Sequence, residues 1–284
     1  NFAFHMGLME IPSYWKATCS PEIIIKAGYL DDYQRGWWTD LLTDGLGEFF
    51  FVNNIDFTSS DFLVLKIKAN SVKVNKVFTK ELTSDQILVP VGGGKDSAVT
   101  CKLLRKSNKD VTAFCLNPTD ASLQITKLNR FKEIVTAYRK IDDRLLSLNK
   151  SGYLNGHTPF SAYIAFLSAL ISIIFDKQAI LVSNGKSSNE ANVIFKGIEI
   201  NHQYSKSFRF EQKFREYSKK YLAHNLEFVS FLRPLYELQI AKIFSNFPEY
   251  FSVFKSCNRN QKANSWCHLC AKCLFVYTII FRIF

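Results

Sequence analysis

Two stretches of the chain carry residue types at spacings suited to chemistry. The first is VGGGKDS, Val91 to Ser97, which follows the apolar run ILVPV and leads into a helical pattern from about Asp96 to Lys106. A strand, a glycine turn and a helix in that order form a phosphate-binding layout. Glycines let the main chain approach a ligand closely, and the helix amino terminus presents unpaired N–H groups with partial positive charge. Two familiar loop patterns fail here. A Walker A loop ends in Gly-Lys-Ser/Thr, whereas Lys95 is followed by Asp96. The dinucleotide fingerprint Gly-x-Gly-x-x-Gly breaks at Ser97. What remains is Gly-Gly-x-Asp-Ser directly after a strand, with Gly92, Gly93, Gly94, Lys95, Asp96 and Ser97 as the candidate phosphate-handling residues.

The second stretch is SCNRNQKANSWCHLCAKC, which places Cys257, Cys267, Cys270 and Cys273 in a C-x9-C-x2-C-x2-C pattern. Four thiolates at such spacings can wrap tetrahedrally around one Zn²⁺, and an iron–sulfur cluster is the alternative occupant. His268 lies inside the pattern and reads as a non-ligand, because four sulfurs already suffice. Cys101 and Cys115 read as small buried apolar residues, and so does Cys19, although its segment SYWKATCSPE is polar and aromatic-rich. Seven cysteines with four clustered near the end suggest a metal site in a reducing compartment rather than a disulfide framework.

Several polar segments have no obvious structural purpose. NKSGYLNGHTPFSAY sets Asn155, Gly156 and His157 just before an apolar helix, with Thr158 as a plausible cap. LVSNGKSSNEANV follows a strand pattern and stacks Asn184, Lys186, Asn189 and Glu190. Ligands of open α/β sheets bind at the carboxyl ends of the strands. EINHQYSKSFRFE and FLRPLYELQIAKIF add His202, Tyr204, Lys206, Arg209, Arg233 and Glu237, a set suited to a large anionic substrate.

The elements that must position these residues are legible as alternating patterns. ILVPV, VTAFCLN, AILVS (Ala179 to Ser183) and LEFVSFL (Leu226 to Leu232) read as strands. Helices are expected over Ile125 to Leu148 and Ala162 to Phe175. Strands separated by helices imply βαβ units and a parallel sheet. Before them, residues 1–83 read as a smaller α+β portion, in which FLVLKIKANSVKVNKVF alternates like strands; residues 84–284 form the sheet domain with the cysteine site at 257–273. The composition is that of a globular chain, with 47% apolar and 21% charged residues. The net charge of +11 attracts polyanions, and ATP or a nucleotide sugar qualifies as well as RNA does. The basic residues are scattered, without the block typical of a nucleic-acid tail. The longest apolar run, AYIAFLSALISIIF, falls short of the roughly 20 residues that span a bilayer, so no membrane span is expected. There is no signal-peptide layout, and a cytoplasmic location is expected. The chain starts at Asn1 without methionine and stops inside the apolar run LFVYTIIFRIF, so both ends read as edges of a longer chain.

The Gly-Gly-Lys-Asp-Ser loop after its strand resembles the signature of the PP-loop ATP pyrophosphatase superfamily, whose members split ATP into AMP and pyrophosphate. The resemblance implies a parallel sheet of the PP-loop (HUP-like) type with helices on both faces, and Mg²⁺-ATP as co-substrate. Gly93, Gly94, Asp96 and Ser97 would handle phosphates and Mg²⁺, Lys95 would neutralise pyrophosphate charge, and FCLNP, with Asn117, would lie beside the adenine. Over nearly the whole chain the run of motifs resembles the ATP-dependent epimerase family of peptidoglycan synthesis, which acts on UDP-MurNAc-L-Ala-L-Glu. GLMEIPSYWKATCSPEI, GLGEFFFVNNID, LNGHTP, NHQYSKSFRFE and WCHLCAKCLFV carry it. It implies adenylation of the terminal glutamate carboxylate, loss and return of its α-proton, and release of AMP and the D-glutamyl product. His157, Cys19 and Lys186 are the candidate proton carriers. Asn184, Asn189, Glu190, His202, Lys206, Arg209 and Arg233 are the candidate substrate contacts, and the cysteine quartet is a structural fastening.

Two positions depart from the family pattern: Gly92 stands where a serine is common, and Gly185 where an acidic residue is expected. Two other functions remain open. One is a PP-loop enzyme adenylating a tRNA base or small heterocycle, which predicts salt-sensitive RNA binding. The other is a nucleotide-binding module without turnover. The sequence leaves the oligomeric state open.

Overall fold

The computed structural model describes residues 1–68, 71–73, 76–83, 85–107 and 109–281. The chain forms two compact units, each assembled from discontinuous stretches. The first comprises Asn1–Lys80, Lys140–Leu170 and Ser188–His224; the second comprises Glu81–Arg139, Ile171–Ser187 and Asn225–Phe284.

The first unit begins with α1 (Phe2–Trp15), β1 (Glu22–Ile25), α2 (Asp32–Asp44), α3 (Gly47–Val52) and β2 (Val64–Ile67). β1 and β2 pair in parallel, with Ile23 opposite Leu65. In α1 the buried Leu8, Pro12 and Trp15 recur at helical spacing. A capping box starts α2: the Gln34 N–H donates to Asp31 Oδ1 (2.8 Å) and the Asp31 N–H to Gln34 Oε1 (3.2 Å). Further along come α6 (Asp143–Lys150), most of α7 (Phe160–Ile174), the hairpin β7 (Val193–Phe195) and β8 (Ile198–Ile200), and α8 (Phe208–Tyr221). Ser207 caps α8, which buries Phe210, Phe214, Tyr217 and Tyr221 along one face. That face meets Trp37, Trp38 and Phe166 in an aromatic core. At its centre the Tyr217 hydroxyl accepts from Gln34 Nε2 (3.0 Å) and Trp38 Nε1 (2.9 Å) and lies 2.9 Å from His5 Nε2.

The second unit is built on a five-stranded parallel sheet of β3 (Gln86–Pro90), β4 (Asp110–Leu116), β5 (Glu133–Ala137), β6 (Ala179–Val182) and β9 (Glu227–Ser230), in the order β5-β4-β3-β6-β9. Leu88 and Val89 on the central strand are wholly buried, as a strand covered on both faces requires. The order reverses direction at β3, so the space beyond the carboxyl ends of β3 and β6 is a topological switch point. Helices α4 (Lys95–Lys106), α5 (Asp120–Asn129), α9 (Glu237–Phe244) and α10 (Ala271–Phe281) pack beside this sheet and one another. The expected parallel α/β class, with its C-terminal four-cysteine cluster, is therefore present.

One expected helix is overturned. The stretch from Ile125 to Leu148 is not continuous: α5 ends at Asn129 and is capped by Arg130, whose φ of 53° is left-handed, then β5 pairs with β4 and α6 follows. On the edge strand β5 only Val135 is buried, so its apolar signal was too thin to stand out between two helical patterns. Of the alternating run after Phe62, β2 forms; residues 69, 70, 74 and 75 lie outside the described residues. Among the described residues, no helix is long and apolar enough to cross a membrane.

Candidate functional site

The glycine loop leaves β3 at the switch point. Gly93 has φ +91°, and a Cβ there would meet Ala121 Cβ and the Ser122 nitrogen, each at 3.0 Å, so both conformation and packing demand glycine. Gly94 caps α4 in extended geometry, and a Cβ on it would meet Ser256 Oγ at 3.0 Å. At Gly92, by contrast, nothing stands within 4 Å of an added Cβ. The first turn of α4 contains Asp96, half-buried, and Ser97, whose hydroxyl donates to the Gly94 carbonyl (2.9 Å). Lys95 turns inward and is 2% exposed. Its ammonium donates to Asp96 Oδ1 (2.5 Å) and Glu237 Oε1 (2.7 Å). Burial works against its charge, but the two carboxylates prevail and raise its pKa above the usual value. Asn117, at φ 46°, is tied to Arg139: its Nδ2 donates to the Arg139 carbonyl and its Oδ1 accepts from the Arg139 N–H.

Beside the loop's strand, the segment after β6 is held by side chains from the end of β9 and the turn after it. Asn184 Nδ2 (3.1 Å) and Arg233 Nη2 (3.0 Å) both donate to Ser230 Oγ, and Arg233 Nη1 donates to the Gly185 carbonyl (3.0 Å). Gly185 has a packing reason to be glycine: an added Cβ would sit 2.7 Å from Ile240 Cδ1 and 3.1 Å from the Leu235 carbonyl oxygen. The Lys186 N–H donates to that same Leu235 carbonyl (2.8 Å), and its ammonium lies 4.7 Å from the Tyr236 ring centroid.

The cysteine quartet closes into a cluster whose four sulfurs all lie within 4.8 Å of one another. Cys257 to Cys270 is 4.0 Å, Cys267 to Cys273 is 3.8 Å and Cys270 to Cys273 is 3.5 Å. Sulfurs bound tetrahedrally at about 2.3 Å from a common Zn²⁺ stand about 3.8 Å apart, so the donor set and its spacing fit zinc. The N–H groups of Asn260, Leu269 and Cys273 donate to Cys257, Cys267 and Cys270 sulfurs, the outer hydrogen bonds that orient thiolate ligands. His268 stands outside this set. The cluster also reaches the glycine loop through its own segment: the Lys255 N–H donates to the Gly93 carbonyl (2.9 Å), and Asn264 Oδ1 accepts from the Ala121 N–H (3.0 Å).

The first unit gathers the remaining candidates. Lys16, buried, donates from Nζ to the carbonyl of Gly156 (2.5 Å), the residue before His157, and its own carbonyl accepts from Cys19 Sγ (3.6 Å). Lys16 thus ties the turn that carries Cys19 to the residue before His157. Burial, aided by the charges of His202, Lys16 and Lys206 and opposed by Glu48, lowers the His157 pKa, so its imidazole is neutral at pH 7. Burial pushes the Cys19 thiol up to about 11, so it is protonated there. A cavity of 350 Å³ opens in the same unit, lined by Asp44, Phe57, Asn189, Ile198, Tyr204 and Arg209 among others. Arg209 pairs with Asp44 (3.1 Å), while Asn189 Oδ1 accepts from the Phe208 N–H (2.7 Å). Burial raises the Asp44 carboxyl against the pull of Arg209, and the Tyr204 phenol is raised by burial and by Asp44. His202, Lys206 and Glu190 are exposed. Lys16, Asp44 and Ser256 were missed: a lysine, an aspartate and a serine at isolated positions give no spacing signal.

A glycine loop at the switch point of a parallel sheet, propped by a four-cysteine cluster, defines an α/β protein of the doubly wound class. Residues 2–231 match the family described as the MurL N-terminal domain, and the chain belongs to that family. It is 30% identical over 274 residues to the UDP-N-acetyl-alpha-D-muramoyl-L-alanyl-L-glutamate epimerase of Xanthomonas oryzae pv. oryzae, covering 93% of this chain and 59% of that protein. To the Micromonospora sp. enzyme of the same name it is 31% identical over 270 residues, with the same two shares. The chain therefore spans about three fifths of the length of the curated relatives it matches. Among solved structures, NMN synthetase from Francisella tularensis superposes with a TM-score of 0.34 at 12% identity, over 69% of this chain and 84% of that one.

Proposed function

We propose that this chain carries out the ATP-dependent epimerisation of the terminal L-glutamate of UDP-MurNAc-L-Ala-L-Glu, through an acyl-adenylate. The observation that carries the reading is the glycine loop at the switch point, in a chain related to named epimerases over 93% of its length. A carboxylate α-carbon is a very poor acid, because its deprotonation piles negative charge beside an anion. Adenylation by ATP removes the carboxylate charge, releases pyrophosphate and lets the carbonyl delocalise the carbanion.

The glycine loop and the first turn of α4 serve the first half-reaction. Their N–H groups receive phosphate oxygens, Asp96 stands where Mg²⁺ would accompany them, and Lys95 fixes the carboxylates from below. In the second half-reaction His157, neutral at pH 7, accepts the α-proton and the Cys19 thiol, protonated there, donates on the opposite face. Water then releases AMP. Arg209 and Asn189 at the cavity wall contribute to holding the substrate, and zinc in the cysteine cluster holds the loop's support in place.

One incubation tests this reading. Mg-ATP and UDP-MurNAc-L-Ala-L-Glu are supplied in D₂O, and AMP, pyrophosphate, glutamate chirality and α-deuterium are followed together. D-Glutamate carrying deuterium, with AMP released, is expected. ATP binding without turnover by folded, zinc-loaded protein sinks the reading for this chain.

A further inference from the structure

One carboxylate in the first unit has no structural explanation. Glu48 stands in the first turn of α3, and its Oε2 is buried, where among the described residues it finds no hydrogen-bond donor. A buried carboxylate oxygen without a donor is costly, so a fold that keeps one needs a reason beyond packing. The main chain shows what lies beside it. Glu48 precedes Phe49, and the Gly156 backbone rests on the Phe49 ring: a Cβ built on Gly156 would meet Phe49 Cδ2 at 3.2 Å. Gly156 is the residue before His157, so this close approach lays the His157 segment on α3. Lys16, donating to the Gly156 carbonyl (2.5 Å), fixes the segment there. The charges acting on the His157 ring come from Lys16 after α1, His202 and Lys206 before α8, and Glu48 on α3. Burial and the three basic groups work against an imidazolium, whereas Glu48 favours one.

We propose that Glu48 is the positioning residue for His157 in proton transfer: its carboxylate takes the N–H of one ring nitrogen, which leaves the lone pair of the other for the substrate. The inference rests on the epimerase reading, with His157 as its base. In that step the free nitrogen takes the α-proton, and the C–H electron pair passes into the enolate of the acyl-adenylate. The imidazolium so formed has a carboxylate beside it, and Glu48 stays ionised throughout. Cys19 supplies a proton to the opposite face. Solvent afterwards takes one proton from the imidazolium and returns one to the thiolate. The unpartnered oxygen thereby has a use. It is an acceptor held ready for a donor whose positive charge appears only during the reaction, and an interaction realised only then lowers the barrier.

Two readouts on Glu48→Gln test it, one of them independent of turnover. NMR titration of the imidazole Cε1–H signals, with that of His157 assigned by its loss in His157→Gln, should show His157 protonating at lower pH in Glu48→Gln than in the parent. Exchange of the α-proton for deuterium should fall by about 10–100-fold, its acid limb moving to lower pH, while pyrophosphate release is retained. The thermal midpoint should not fall, because Glu48 Oε2 holds no hydrogen bond to lose. Glu48→Asp, which keeps the charge, should recover part of the exchange rate. Adding Glu48→Gln to His157→Gln should slow exchange no further than His157→Gln alone. An unmoved His157 titration overturns the proposal, and so does exchange in Glu48→Gln equal to the parent's. So does a fall in pyrophosphate release that matches the fall in exchange, because Glu48 would then bind substrate. Absence of exchange in the parent is a different failure: it sinks the epimerase reading, and a shifted titration still establishes the Glu48–His157 pair.

Discussion

The ammonium of Lys95, the first residue of α4, lies 2.7 Å from the carboxylate of Glu237, the first residue of α9. The bond ties the helix that opens at the glycine loop to the helix that follows the Arg233 turn. Lys95 is buried, while the Glu237 and Asp96 side chains keep 22% and 34% of their exposure, so water tempers the loss when the ammonium is removed. Lys95→Met should cost about 2–3 kcal/mol, less than a fully buried pair would. Glu237→Gln, which keeps an acceptor, should cost about 1 kcal/mol. Urea unfolding of both variants checks the order, and a Lys95→Met protein as stable as the parent would remove the pair from the argument.

Gly92 and Gly185, the two glycines at which the sequence reading expects another residue type, are treated oppositely by the structure. Space is open around Gly92, and Gly185 is pressed against Ile240 and the Leu235 carbonyl. Gly92→Ser should leave the thermal midpoint unchanged and tighten ATP binding by a few fold, by about 1 kcal/mol for one added hydrogen bond. Gly185→Asp should destabilise by about 1–3 kcal/mol through overpacking and should not raise activity. Calorimetric ATP titration with a melting curve for each variant decides. If Gly185→Asp is neutral and activating, the packing account fails.

How much of this was readable in advance depends on how local the signal is. VGGGKDS and the cysteine quartet declare themselves because each falls within one short stretch of chain, 91–97 and 257–273, and the central strands because they are buried on both faces. β5 was hidden because an edge strand with one buried side chain has no period to detect. The cavity around Tyr204 could not be read at all, since its walls come from α2, α3, the loop before β2 and the β7–α8 region. Likewise Lys16 joins Cys19 to Gly156 over 140 positions, a contact that no pattern in the sequence foretells. Gly185 looked like a lost functional acid; in the fold, a side chain there would have to displace the end of Ile240 and press on the Leu235 carbonyl.

The cysteine cluster and the phosphate loop should respond together. Lys255 and Ser256, directly before Cys257, meet the backbone of Gly93 and Gly94. The purified chain should carry one Zn²⁺, measured by plasma mass spectrometry. Removing it, or substituting Cys270→Ser, should lower the thermal midpoint and weaken ATP binding by about tenfold, because loosening the support misplaces the loop. Unchanged ATP affinity in metal-free, folded protein would show that the cluster fastens its own segment alone.

Acid should unfold the first unit through His5. Burial lowers its pKa from 6.5 to about 4, with the Asn1 carbonyl opposing and the terminal amine assisting. The unfolded chain therefore binds more protons between those values. The stability is whole above pH 6.5 and falls as pH drops towards 4, by about 3 kcal/mol in total. Denaturant midpoints across pH 4–7 should show this slope, and His5→Phe should flatten it. A slope unaltered in His5→Phe assigns the acid sensitivity to other groups.

The proposed division of labour between His157 and Cys19 makes their variants separable. Adenylation precedes proton removal, so His157→Gln should keep pyrophosphate release while α-deuterium incorporation from L-glutamyl substrate falls by about 10²-fold or more. Cys19→Ala should also keep pyrophosphate release, and should let deuterium enter with the L-configuration retained, because the proton returns only from the side on which it left. Equal loss of pyrophosphate release and deuterium exchange in both variants would place these residues in substrate binding. Loss of deuterium exchange in Cys19→Ala with exchange intact in His157→Gln would reverse the two roles.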